Sequence, residues 1–312
     1  MSIQSCTEFL HAAHASPDLM RTLRTMTGPK EIIALGARHG YDFRLTDLAA
    51  ASSTFTPAAA SGNGGSGGPA PSAPAAAGDT RPRPGESGFY HHEYAIADIP
   101  GFGAVLDQLP RLKIKPGSVD LARFAERFRD EDLRSTDLSP ASEEFDRWRA
   151  GVEHEEGDSG GAHRRGFHLV NLDEHIDHPG YADYLDAKNA TIAALEDAFG
   201  TEIRFSGSMW YPPSGYRLWH TNETQPGWRM YIVDVDAPFD DPARTTFFRY
   251  MNPATGEIVT LGERPRIVRF FKVEQDPRHL FWHCIVNPTE RDRWSFGFAV
   301  PEDWPVRLGL AT

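Results

Sequence analysis

Two histidines carry most of the chemistry this sequence offers. His220 stands in Trp219-His220-Thr221-Asn222-Glu223 and His283 in Phe281-Trp282-His283-Cys284. Two imidazoles brought to one point hold a divalent metal. A third oxygen donor completes one face and the opposite face stays open for reactants. In a His-x-acid pair on an extended strand, both donors leave from the same side. Here the third position holds Asn222 instead of an acid. Three readings stand. Asn222 ligates weakly through its amide oxygen or leaves the position to water. Glu223 substitutes, although on a regular strand it points to the other face. Or the site has lost its metal and become a binding module. His220, Asn222 and His283 are thus the candidate catalytic and metal-ligating residues. Beyond them lie Arg291, Arg293 and Ser295.

Bland readings compete. His220 beside Trp219, and His283 beside Trp282, each read singly as a packed barrel histidine. His279, four residues before His283, is a rival ligand, but it follows the turn at Asp276-Pro277. His91-His92 and the pair His175 and His178 read as surface residues, and His11, His14 and His39 as surface or packing residues. Asp234 and Asp236 read as turn residues.

The elements that must position the pair are legible from pattern. Residues 201–300 alternate short aromatic and β-branched runs with turn residues such as Pro212-Pro213-Ser214-Gly215 and Asn252-Pro253-Ala254-Thr255-Gly256. That spacing predicts an antiparallel barrel or jelly roll. Upstream, helices are predicted over 120–128 and over 189–199, the latter stopped by Gly200. Residues 130–160, rich in Asp, Glu, Ser and Gly, read as a solvated loop or mobile lid. Residues 56–88, dominated by Ala, Gly, Ser and Pro, read as a disordered flexible linker that lets one domain move relative to the other. Before it, 1–55 read as a small all-α domain. Ser16-Pro17 begins one helix, Gly28-Pro29 separates helices, Gly40 suits a left-handed position, and Thr46 caps a last turn. The expected fold class is α+β. A double-stranded β-helix (jelly roll) with flanking helices fills 89–312, preceded by the helical domain and the linker.

Residues 205–300 resemble the Fe(II)/2-oxoglutarate-dependent oxygenases, most nearly the prolyl-hydroxylase branch. The residues that carry the likeness are Tyr211 leading to His220, the strand 228–233, and His283 followed by Arg293 and Ser295. The resemblance implies Fe(II) at His220 and His283, with Asn222 or water completing the face. It implies 2-oxoglutarate with its far carboxylate on Arg293 and Ser295, joined by Tyr211 or Tyr231, with Arg291 as the rival arginine. Related halogenases leave the third position open for chloride, so halogenation and desaturation stay beside hydroxylation. Residues 1–50 resemble the Nif11 family of small helical domains. The likeness lies in Phe9-Leu10, Ser16-Pro17-Asp18-Leu19, Leu23, 31–36, 38–43 and 46–48. Such domains serve as leader segments that dock peptide-modifying enzymes. Together the two resemblances imply hydroxylation of a peptide or protein side chain. A small-molecule substrate and an inactive binding module are the alternatives.

Composition bounds the rest. The chain has 312 residues, 32 Lys+Arg against 44 Asp+Glu, and a formal net charge of −12. That acidity argues against nucleic acid as a partner. No apolar run approaches the roughly 20 residues that span a bilayer, and the first residues lack a signal-peptide pattern. Two cysteines, Cys6 and Cys284, are too few for a disulfide scaffold. A cytoplasmic enzyme with no membrane partner is expected.

Overall fold

The computed structural model describes residues 3–26, 28–45, 47–48, 91–157 and 165–310. The linker expected over 56–88 and the cap expected at Thr46 lie outside the described residues. The first helices follow their punctuation: α1 (Ile3–Ala15), α2 (Pro17–Arg24) and α3 (Pro29–Arg38). Ser16 caps α2, its hydroxyl accepting from the Leu19 amide at 3.3 Å, with Pro17 at the first helical position. Gly40 takes φ +83° after α3. Cys6, Phe9, Ala13, Leu19, Leu35 and Phe43 form the domain's own small core.

The second part starts with β1 (His91–Ala95) and continues through α4 (Gly103–Leu112), α5 (Leu121–Glu126), α6 (Asp130–Ser135) and α7 (Glu143–Glu156). Short strands β2 (Phe167–His168) and β3 (Val170–Asn171) precede the long helix α8 (Tyr181–Phe199). Then come β4 (Arg204–Tyr211), β5 (Tyr216–His220), β6 (Gly227–Val235), β7 (Phe247–Met251), β8 (Ile258–Gly262), β9 (Ile267–Val273), β10 (His283–Val286), β11 (Arg293–Ala299) and α9 (Trp304–Arg307). The described part of 130–160 is therefore not a loop. Phe145 and Val152 are buried and tie α7 to the body, while Glu143, Glu144 and Asp146 face out.

The strands form two sheets, ordered β1-β9-β6-β11-β4-β3 and β2-β5-β10-β7-β8, and the paired strands run antiparallel. From β4 onward the chain crosses repeatedly between the sheets, and only β7 and β8 follow each other within one. This is the double-stranded β-helix. Strand periodicity sorts its side chains. On β11, Trp294, Phe296 and Phe298 join the core beneath α4 and α8, whereas Arg293 and Ser295 point between the sheets.

The N-terminal helices rest on α8. Glu31 of α3 lies 3.3 Å from Lys188 and accepts from the Tyr181 hydroxyl at 2.7 Å. Lys188 also pairs with Asp173 at 2.9 Å, and all three charged side chains are buried. Arg24 adds an exposed pair with Glu202 at 3.0 Å. A domain expected to move on its tether is thus docked here through a buried charge cluster.

Candidate active site

His220 ends β5 and His283 begins β10, directly opposite each other in register. The next pair is Arg217 with Ile285, so Leu218 and Trp219 oppose Cys284 alone. This bulge lets Arg217 and His220 both line the cavity between the sheets. The imidazole centroids are 4.0 Å apart. His220 Nδ1 meets the Leu218 carbonyl at 2.7 Å and His283 Nδ1 meets the Phe281 carbonyl at 2.9 Å. A carbonyl only accepts, so each Nδ1 carries the proton and each Nε2 keeps its lone pair. Holding one imidazole nitrogen in this way is how metal-binding histidines are oriented. Burial, reinforced by Arg217 and Arg269, lowers the His283 pKa to about 3, so the ring is neutral near pH 7.

The third position departs from the expected geometry. Asn222 lies beyond the end of β5 at φ +56°, a left-handed conformation that Asn tolerates. The same-face argument for an extended His-x-acid pair therefore does not apply. Asn222 Oδ1 accepts from Arg217 Nη2 at 2.9 Å, and its Nδ2 lies 3.4 Å from His283 Nε2. The amide oxygen, the atom expected to ligate, faces Arg217. Glu223 does not replace it, being exposed and hydrogen-bonded to the Thr221 hydroxyl. Among the described residues, no group of three or more His, Cys, Asp or Glu side chains is arranged to hold a metal.

Arg293 lies in the same cavity, with Ser295, Tyr211 and Tyr231. Its guanidinium lies 4.6 Å from the Tyr211 ring centroid, and Tyr231 stacks on Phe271. A two-pronged grip on a ligand carboxylate is not open to it, because Arg293 Nε and Nη2 donate to Glu263 at 2.6 and 2.8 Å. Nη1 is buried and has no hydrogen-bond partner. Glu263 also accepts from Arg269 at 2.7 Å and from Thr246 at 2.8 Å. Burial alone would raise the Glu263 carboxyl, but Arg293 and Arg269 hold it far below the usual carboxylate range. Arg291, the rival, is absent from the cavity and forms a pair with exposed Asp240 at 2.9 Å.

Other candidates disperse. His279 is half-exposed beside Asp276. His175 meets Ser118, and Asp234 is buried against Lys113. His91 is not a surface residue. It stacks on Phe248 and Tyr250, and its Nε2 accepts from Arg269. Glu263, Arg269 and Arg217 went unnoticed in the sequence. Alternation on β9 and β11 was the available signal for Arg269, while the bulge hides Arg217.

The inner cavity is narrow, about 40 Å³. His220 and Arg217 also line a wider outer groove of about 390 Å³ beside α7.

Comparison with known proteins gives three results. Residues 1–48 match the model of the Nif11 domain. No curated protein matches the chain. Among solved structures, it is similar to a prolyl-4-hydroxylase of Pseudomonas putida, at 13% identity and TM-score 0.28, covering 39% of this chain and 63% of that one. A 2OG-Fe(II) oxygenase family protein of Burkholderia pseudomallei matches at 13% and 0.28, covering 39% and 56%. The chain thus spans less than two thirds of these two. The rice dioxygenase for auxin oxidation matches at 13% and 0.31, covering 69% and 75%.

Proposed function

We propose that the jelly-roll part is a non-haem Fe(II)- and 2-oxoglutarate-dependent oxygenase that hydroxylates a side chain of a peptide or protein. The observation that carries this reading is the His220–His283 pair, whose ring centroids lie 4.0 Å apart and whose Nδ1 atoms are held by carbonyls, the tautomer in which Nε2 is the nitrogen able to ligate. The residues fit a metal held by two histidines. They do not supply the carboxylate of a two-histidine, one-carboxylate site. For the cosubstrate, the buried and unpartnered Nη1 of Arg293 fits one oxygen of a carboxylate, with Ser295 on the same strand face.

When bound, Fe(II) with 2-oxoglutarate and O₂ supplies the power to oxidise an unactivated C–H bond. The chain's own residues orient and exclude. His220 and His283 bind the metal as neutral imidazoles. Arg293 Nη1 and Ser295 receive the far carboxylate, and Tyr211 backs the guanidinium. Phe248 and Phe271 keep water from the inner wall. Arg217 holds the Asn222 oxygen away from the pair, which leaves the third position to water or another small ligand. The outer groove beside α7 supports a peptide over a small metabolite. The Nif11 domain supports a place in peptide modification, where it would dock other peptide-modifying enzymes. Cys6 and Cys284, both buried and unpaired, agree with a reducing cytoplasm.

A second reading, a binding module without turnover, draws on Asn222 presenting nitrogen instead of oxygen to His283. Equilibrium dialysis against Fe(II), followed by measurement of 2-oxoglutarate decay, separates the two. The oxygenase reading expects one iron per chain and slow uncoupled decay, both lost in His220→Ala and His283→Ala. Wild type that retains no iron supports the module.

A further inference from the structure

The outer groove has a feature that the metal chemistry does not use. Its walls are aromatic: Phe145 and Trp148 from α7, Trp219 from β5, and Trp282 just before β10. Phe145 stacks on Trp148 at 5.6 Å and meets Trp282 edge-on at 6.0 Å, so the walls brace one another. Three N–H donors of these lining residues are buried with no hydrogen-bond partner: Trp148 Nε1, Trp219 Nε1 and Arg217 Nε. Trp219 is only 7% exposed. A buried donor left unpaired costs about 1–3 kcal/mol. The three residues line one concavity that reaches His220, and their donors lack acceptors.

The pattern identifies the acceptors. Charges lining the groove balance, Arg149 and Arg217 against Glu153 and Glu223, so neither a polyanion nor a polycation is favoured. The donors come from two elements, α7 and β5. An extended peptide offers carbonyl oxygens along its length with no internal partners, and its side chains suit aromatic walls. The inner cavity, at about 40 Å³ against about 390 Å³ for the groove, is too narrow for such a chain.

We propose that this groove is the substrate site, and that it takes an extended peptide whose main-chain carbonyl oxygens accept from Trp148, Trp219 and Arg217. This inference rests on the oxygenase reading for its meaning, but its test involves neither metal nor turnover. The probe is the capped, uncharged peptide acetyl-Ala-Leu-Ser-Ala-Leu-Ser-amide, titrated into the full chain with labelled tryptophans. Indole N–H resonances are assigned with Trp148→Phe and Trp219→Phe, which keep an aromatic ring and remove the donor.

The expected result is a saturable downfield movement of both indole protons at millimolar peptide. Each Phe variant should bind about tenfold more weakly, the effect of roughly one lost hydrogen bond. Far-ultraviolet circular dichroism checks that both variants are folded. The proposal is overturned if the two indoles do not respond, or if both Phe variants bind as well as wild type. It is also overturned if free leucine moves the indoles as the peptide does, which makes the groove a metabolite site. Indoles already shifted downfield, with peptide excluded, would mean that another segment of this chain fills the groove, and would overturn it too. Failure here leaves iron binding by His220 and His283 unaffected, so the two readings fall separately.

Discussion

Glu263 grips Arg293 by two parallel hydrogen bonds of 2.6 and 2.8 Å, and neither side chain reaches solvent. The arginine expected to clamp a ligand is thereby held by the protein itself, with one guanidinium nitrogen left over. Removing one partner of a buried ion pair strands the other, at about 3–5 kcal/mol. Glu263→Gln is expected to lose stability of that order, since Arg269 also loses one of its two carboxylates and keeps only Glu93. Urea unfolding followed by tryptophan fluorescence measures it. A change below about 1 kcal/mol would mean that water or another group compensates both arginines.

Lys188 joins Glu31 of the N-terminal domain to Asp173 of the jelly roll, all buried. Lys188→Met leaves two carboxylates facing each other across the domain boundary. Hydrogen exchange should then speed up in α3 and in α8 together. Faster exchange in α8 alone would show that the domain is held by other contacts.

Asn222→Asp puts a carboxylate beside the two imidazoles at a backbone conformation that Asp also tolerates. Fe(II) should be retained at least about tenfold more tightly, a gain of about 1.4 kcal/mol. Dialysis of the two proteins side by side measures the difference. Unchanged retention would mean that Arg217 neutralises the new charge and keeps it from the metal.

His168 lies buried against Phe124 at 3.9 Å, and burial lowers its pKa from 6.5 to about 4, with Arg127 adding to the shift. Between those values the unfolded chain binds the proton and the folded one does not. Stability is therefore full above pH 6.5 and falls as pH drops towards 4. The loss from this one group is on the order of 3 kcal/mol. His168→Phe should flatten that part of the stability–pH curve relative to wild type. Parallel curves for the two proteins would contradict the assignment.

That His220, His283 and Arg293 share one cavity was legible because their residue types are rare inside a β-rich pattern and their order is fixed by the strands. Ser16-Pro17 and Gly40 were legible because capping is local. Glu263 was not, since Gly262-Glu263-Arg264-Pro265 reads as an exposed turn. Only the closure of the barrel brings it beneath Arg293. Arg217 was hidden by the bulge at Leu218 and Trp219, which breaks the two-residue alternation. Lys188 sits on a helix whose length suggests a solvated lysine, and its partner Glu31 is 157 residues away. The loop reading of 130–160 failed because acidic composition outweighed Phe145, Trp148 and Val152, which anchor α7.

The central claim is that His220 and His283 hold iron together with an oxoacid despite Asn222. The most direct test adds Fe(II) and 2-oxoglutarate to the whole protein without oxygen and records the visible spectrum, with His283→Ala alongside. A weak metal-to-ligand charge-transfer band is expected in the wild type and is missing from the variant. Equal spectra, with no iron retained by either protein, would contradict the claim.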